Sequence, residues 1–190
     1  ICIRLKTMPK IRLRPKEFVA YYLKAFPAAL LFLLFINFSH ADTAINNTIG
    51  IEVTTHLGDK QTFQKGDVIS FLISLDRDAY VLMIYEDAEH NLLQIIPNRY
   101  RQINRYDTGL FISVPNRDEP FEFVVSPPFG KETVWVFASE QSFAELPGVD
   151  LENGLKKLSA SLPDILAKIR ANQSKHLYGE ASTTISTAAK

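Results

Sequence analysis

The sequence predicts a mainly β protein, an antiparallel β-sandwich with a C-terminal helical cap. Three observations carry this. Seven short runs rich in β-branched and aromatic residues lie between Ile49 and Ser139, separated by polar or Gly/Pro punctuation. Two of those runs are apolar on both parities, which a strand tolerates only when both its faces are covered. A stripe of Leu and Ile at steps of three and four follows from Leu151 to Ile169, the spacing of one face of a helix.

The elements follow in chain order. Strands are expected over Ile49 to Thr55, Val68 to Leu75, Ala79 to Tyr85, Leu92 to Ile96, Leu110 to Val114, Phe121 to Ser126 and Thr133 to Ala138, with Thr62 to Gln64 as a short edge piece. The runs Ala79 to Tyr85 and Thr133 to Ala138 are the doubly apolar ones, and so mark the centre. Asp76-Arg77-Asp78 reads as a tight hairpin connection, and Glu86 to Asn91 as a longer one. Pro127-Pro128-Phe129-Gly130 reads as a rigid turn in which a cis Pro-Pro bond is accessible.

The apolar stripe of the tail is interrupted by Pro163. Ser161 is an N-cap residue, Pro163 falls in the first turn and Asp164 lies three residues on, so two consecutive helices are expected between about 150 and 172. Asp150 caps the first, and the second ends near Asn172. Thr183 to Thr187 has strand character and is expected to return to the sheet edge.

The front of the chain sets the expected location. Lys10, Arg12, Arg14, Lys16 and Lys24 precede an apolar run from Ala25 to Phe38, and Ser39 and Ala41 supply small residues at the positions before a cut. A spanning helix needs about 20 apolar residues, and this run has about 14. The expectation is an export signal over 1–41, cleaved between Ala41 and Asp42, with the residues before Met8 as functionless upstream read-through. A linker over 42–48 and a single domain over 49–190 follow. No stable membrane insertion is expected after cleavage, and the expected location is periplasmic or secreted.

Charge and cysteine usage narrow the partners. Of 21 basic and 21 acidic side chains, seven basic and one acidic precede Asp42, leaving 14 against 20, a net charge of about −6. Such a surface repels phosphate backbones and anionic head groups, so no nucleic-acid partner is expected. The one thiol, Cys2, precedes the cut, so the exported part has no disulfide and no thiolate nucleophile.

No reactive constellation stands out. Asp76, Asp78, Glu86, Asp87 and Glu89 are oxygen donors without the spacing of a calcium loop, and His56, His90 and His176 are far apart. No Gly-x-Ser-x-Gly elbow is present. The expectation is no catalytic residue, no metal and no cofactor. Most aromatic residues, Phe111 among them, fall in apolar runs and are expected in the core. Pro97 to Tyr106 differs: with three Arg and two Tyr it is the one basic, aromatic patch, and Arg99, Tyr100, Arg105 and Tyr106 are the candidate binding residues.

Taken together, Leu75-Asp76-Arg77-Asp78-Ala79-Tyr80-Val81, Ile96-Pro97-Asn98-Arg99 with Asn104, Phe121 to Glu132 through the Pro127-Pro128-Phe129-Gly130 turn, and Trp135-Val136-Phe137-Ala138-Ser139 resemble a bacterial family. It is the one catalogued as domain of unknown function 4384. The resemblance runs from about Val53 to Ser139. It implies an accessory module, since the family occurs in exported proteins and lipoproteins and appended to kinase-like or protease-like domains, and it implies no catalytic residues. This chain departs from the lipoprotein members in having Asp, not Cys, at position 42. The expected function is an exported, non-catalytic accessory module contacting an envelope or secreted protein. The alternatives are a glycan or small-molecule binding module and an unrecognised hydrolase.

Overall fold

The computed structural model describes residues 1–5, 48–58 and 60–190. The expected signal, the Ala41–Asp42 junction and nearly all of the 42–48 linker lie outside the described residues. Among the described residues no helix is long and apolar enough to cross a membrane.

The protein is mainly β, with several antiparallel sheets and one C-terminal helix. In chain order the strands are β1 (Cys2–Leu5), β2 (Ile51–Thr55), β3 (Thr62–Gln64), β4 (Val68–Ile69), β5 (Phe71–Leu75), β6 (Ala79–Glu86), β7 (Leu92–Ile96), β8 (Arg105–Tyr106), β9 (Ile112–Val114), β10 (Phe121–Val124), β11 (Lys131–Ser139), β12 (Gly148–Asp150), β13 (Lys156–Leu158) and, after helix α1 (Leu162–Gln173), β14 (Tyr178–Ala188). The large sheet runs β12-β13-β7-β6-β11-β14-β3, with β8 also on β6. Two three-stranded sheets, β1-β10-β4 and β2-β5-β9, pack over one of its faces.

The doubly apolar strands sit where the sequence puts them, at the middle of the large sheet. Alternation divides their side chains between two cores. Val81, Met83 and Tyr85 of β6 and Val134, Val136 and Ala138 of β11 join Phe71, Ile73, Phe121 and Phe123 of the small sheets. Leu82 and Ile84 of β6 and Phe137 of β11 point the other way, to Leu158, Ile165 and Ile169. Each fully buried side chain of this size stabilises by about 1.5–3 kcal/mol relative to exposure, so the helix is an integral cover of the second face.

Helix α1 starts as expected. The Ser161 side chain accepts from the Asp164 backbone N–H, Pro163 lies in the first turn, and Ile165 and Ile169 are buried. The first expected helix does not form; β12 and β13 make a hairpin there instead. Asn153 and Gly154 decide it: the Asn153 carboxamide oxygen accepts from the Leu155 N–H, and Gly154 has φ of +85°, which a helix cannot accommodate. Leu155 and Leu158 then enter opposite cores, so their three-residue spacing is not one helical face.

Other expectations change at the joins. Val68 to Leu75 splits at Ser70 into β4 and β5, which belong to different small sheets. Asp76-Arg77-Asp78 is not a hairpin: it carries the chain from β5 of a small sheet to β6 of the large one, and Asp78 instead accepts from the Thr108 N–H at 2.9 Å. Glu86 to Asn91 does join paired strands, held by Asp87, whose carboxylate takes the Glu89 and Asn91 N–H groups. The tail strand β14 is longer than expected and lies between β11 and the edge strand β3, to which it is parallel. Ile96–Pro97, Val114–Pro115 and Pro127–Pro128 are cis. Of the residues before Met8, expected to be idle, Cys2–Leu5 form β1, with Ile1 and Ile3 packed inward onto the main core.

Candidate functional site

The Pro97–Tyr106 segment leaves β7 and is pinned by Asn98. This side chain, 8% exposed, donates to the Ile95 carbonyl and to Glu119 Oε1, while its Oδ1 accepts from the Tyr100 and Arg101 N–H groups. All its hydrogen-bonding capacity is thus spent on shaping the loop. Asn104 does the same further on, with its Nδ2 donating to the Val81 carbonyl at 2.8 Å. Beneath the loop Arg101 Nη2 donates to Glu119 Oε2 at 2.9 Å and to the Ser113 carbonyl at 3.0 Å. Glu119 is buried and Arg101 partly buried, at 5% and 11% side-chain exposure.

The four candidate binding residues separate on inspection. Arg99 is exposed, with its Nη2 3.3 Å from the Leu151 carbonyl and its N–H on the Gly154 carbonyl. Tyr100 is 45% exposed, and its ring lies between Phe121, 6.2 Å away, and Gly154. A Cβ at position 154 would stand 2.4 Å from the Tyr100 ring, so glycine there is required by close approach as well as by φ. Arg105 is half exposed and pairs with Asp78 at 3.3 Å and Asp107 at 3.7 Å. Tyr106 turns inward onto the main core, and burial pushes its phenol pKa up, partly offset by Arg101 beside it. Tyr106 Oη and Arg101 Nη1 are buried without a hydrogen bond to the described residues. The signal-cut residues Ala41 and Asp42 are outside the described residues.

Exposed apolar residues that the sequence concealed lie within the same segment and just beyond it. Ile103, Leu110 and Phe111 are 83%, 67% and 75% exposed. Leu110 to Val114 reads as one strand, but β9 begins only at Ile112, and Gly109 at φ of +80° places Leu110 and Phe111 in the approach to it. Phe111 is therefore on the surface, not in the core.

A polar groove opens between this loop and the β12–β13 hairpin. Its volume is about 400 Å³, and Gln94, Asn98, Arg99, Gln102, Asp150 and Lys156 line it. A second lobe of about 240 Å³ adds Asn104, Ser142 and Phe143. Lys156 Nζ meets Glu145 Oε1 at 2.6 Å where the lobes join, and this contact holds the Glu145 carboxyl below its usual range. Phe143 is the one aromatic residue lining either lobe.

The acidic turns are satisfied locally. Glu86 accepts from Trp135 Nε1 and pairs with His90 Nδ1 at 2.7 Å, and Asp76 pairs with Arg77. Among the described residues no three His, Cys, Asp or Glu side chains gather as a metal site.

The loop ties at Asn98 and Asn104, the β5–β6 crossing at Asp78 and the Pro127-Pro128 turn are the positions that carry the family resemblance. Residues 62–142 match the family model described as Domain of unknown function (DUF4384). The DUF4384 segment begins at β3 and ends just past β11, so it holds the centre of the large sheet, the loop and Glu119. The β12–β13 hairpin, α1 and β14 lie beyond the DUF4384 segment. No curated protein and no solved structure matches the chain.

Proposed function

We propose that this protein is an exported, non-catalytic accessory module that contacts another protein of the bacterial cell envelope through the Arg99–Phe111 face. One observation carries the reading: Tyr100, Ile103, Leu110 and Phe111 are exposed along one segment, with the half-exposed Arg105 among them and Arg99 beside them. Aromatic and Arg anchors in an apolar surround are the composition that protein interfaces favour. The segment is held rigid from below by Asn98, Asn104 and the Arg101–Glu119 pair, so little ordering entropy opposes binding. Export is supported by the basic lead, the short apolar run and the small residues before Asp42.

The test is site-specific photocross-linking in the native host from position 111, with the exposed position 60, in the link between β2 and β3, as reference. The expected result is one discrete cross-linked protein from position 111, lost in Arg99→Ala/Tyr100→Ala with unchanged thermal unfolding. Cross-links equally abundant from both positions would remove the face from the account.

A second reading, a small-molecule ligand, is favoured by the 400 Å³ groove and its polar lining. With Phe143 as its single aromatic, the groove lacks the stacked rings of a glycan platform, so a small polar ligand fits it better. Lys156→Ala would abolish such binding and leave the position 111 cross-link intact.

A further inference from the structure

The sheet β1-β10-β4 takes one of its three strands from a segment that precedes the expected cut. That strand, β1, pairs along the full length of one edge of β10. Cys2 pairs with Val124, Ile3 with Phe123, Arg4 with Glu122 and Leu5 with Phe121, so β1 covers every residue of that edge. Ile1 and Ile3 pack against the main core, where with Phe71, Met83, Tyr85, Ile95 and Phe123 they line a small apolar cavity, so the strand covers an apolar slot. On the outer side Arg4 Nε meets Glu122 Oε1 at 2.5 Å.

At the inner end the Ile1 nitrogen donates to Tyr85 Oη at 3.0 Å and lies 3.4 Å from Glu132 Oε1. Glu132 is fully buried, and its other donors are the hydroxyls of Tyr85 and Thr187, at 2.7 and 2.9 Å. Without β1, an apolar slot, a bare strand edge and a buried carboxylate would be uncovered together. An edge of this kind pairs with whatever extended chain fits it. The acidic balance of the chain after Asp42, 14 basic against 20 acidic side chains, favours a basic occupant.

We propose that, once residues 1–41 are removed, the slot beside β10 receives an extended strand from a partner polypeptide, with β-branched apolar residues at alternate positions and a basic residue opposite Glu122. The recognition is strand addition: backbone bonds to the β10 edge give affinity, and the two apolar positions give register. The proposal rests on the export reading above, but uses a surface distinct from Arg99–Phe111.

Disulfide trapping across the Cys2–Val124 register tests it in the full chain. Val124→Cys alone is expected to close an internal bond to Cys2. In Cys2→Ser/Ile3→Asp/Val124→Cys, where the resident strand is unseated, a synthetic Ile-Cys-Ile-Arg-Leu peptide in glutathione buffer is expected to join the new thiol. A peptide with Asp at its third position should be captured about tenfold less, the change that 1.4 kcal/mol of lost burial produces. Absence of both the internal bond and selective peptide capture would overturn the slot. Site-specific photocross-linking from position 124 in the host then identifies the occupant. A start at Asp42 with a cross-link to an alternating apolar, basic stretch of another protein supports the proposal. A cross-link between two copies at position 124 overturns it in favour of self-assembly, and retention of residues 1–41 overturns the export reading while the peptide result still decides the slot.

Discussion

Glu119 and Glu132 are both buried, and they are held by opposite means. Glu119 sits under the Arg99–Phe111 face and has a full guanidinium partner in Arg101, an amide from Asn98 and the Asn116 N–H at 2.6 Å. Glu132 sits at the end of the β1 slot with two neutral hydroxyls and the Ile1 nitrogen. The first carboxylate is satisfied by residues of one neighbourhood, 98 to 119. The second is satisfied by residues from the two ends and the middle of the chain. The difference teaches which surface is prebuilt and which is completed by a strand: the loop face carries its own counter-ion, and the slot imports part of its polar pairing with the strand that fills it.

The largest expected effect breaks the self-contained side. Arg101→Met would leave Glu119 charged and unpaired in a dry site, costing about 3–5 kcal/mol, read as a lower urea midpoint with unchanged slope. A loss under about 1 kcal/mol would mean that Asn98 and the backbone suffice for Glu119.

The slot side comes next. Tyr85→Phe removes the 2.7 Å donor to Glu132 and is expected to cost about 1–3 kcal/mol. Burial, then the Glu132 charge, hold the Tyr85 phenol far above its ordinary 10.0. A group whose folded pKa is raised contributes its full stability below the unfolded value and loses it as pH climbs beyond. Stability should therefore fall above pH 10 by about 1.4 kcal/mol per unit. Tyr178, raised by burial and by Glu180, adds to the same slope. The readout is the difference between wild type and Tyr85→Phe, whose alkaline slope should be shallower by that one proton.

A smaller effect sharpens the loop side. Gly154→Ala is expected to cost about 1–2 kcal/mol through φ strain and to swing Tyr100 off Phe121, seen as a change in tyrosine fluorescence and a weaker position 111 cross-link. If Tyr100 does not move, the hairpin is not what orients it.

The smallest effect is the solvated counterpart of both pairs. Arg170 binds Glu180 with two contacts, 2.6 and 3.0 Å, and its hydrogen bond holds the Glu180 carboxyl below the ordinary 4.5. That contribution is present above pH 4.5 and lost as pH falls through the lowered folded value. Solvent screens an exposed pair, so that contribution is small, and Glu180→Gln should flatten acid unfolding only slightly. An effect as large as that of Arg101→Met would erase the contrast between buried and solvated pairing.

The strands were legible because β-branched alternation is local, and every expected run from Ile49 to Ala138 contains one. Their sheet membership was not, since β5 and β6 are separated by three turn residues and yet belong to different sheets. Leu151, Leu155 and Leu158 fit a helical stripe equally well until Asn153 and Gly154 are weighed as a turn. The site was half legible. Arg99, Tyr100 and Arg105 reach the surface, but Tyr106 turns inward and Phe111 outward, because one residue of register decides which face a side chain takes. Glu119 and Glu132 could not be singled out, as a buried acid in a sequence looks like any surface acid. Their burial is set with partners that no local pattern announces, Arg101 in the same loop neighbourhood for Glu119 and Tyr85, far along the chain, for Glu132.

The position of β14 has a practical bearing on how the molecule can be cut. An expression fragment trimmed to the DUF4384 match at 142 would strip β11 of its nine-residue ladder to β14 and peel α1 from Phe137. A long flat edge and an oily patch would then face water side by side, the recipe for inclusion bodies. The smallest soluble cassette should therefore extend through Ala188.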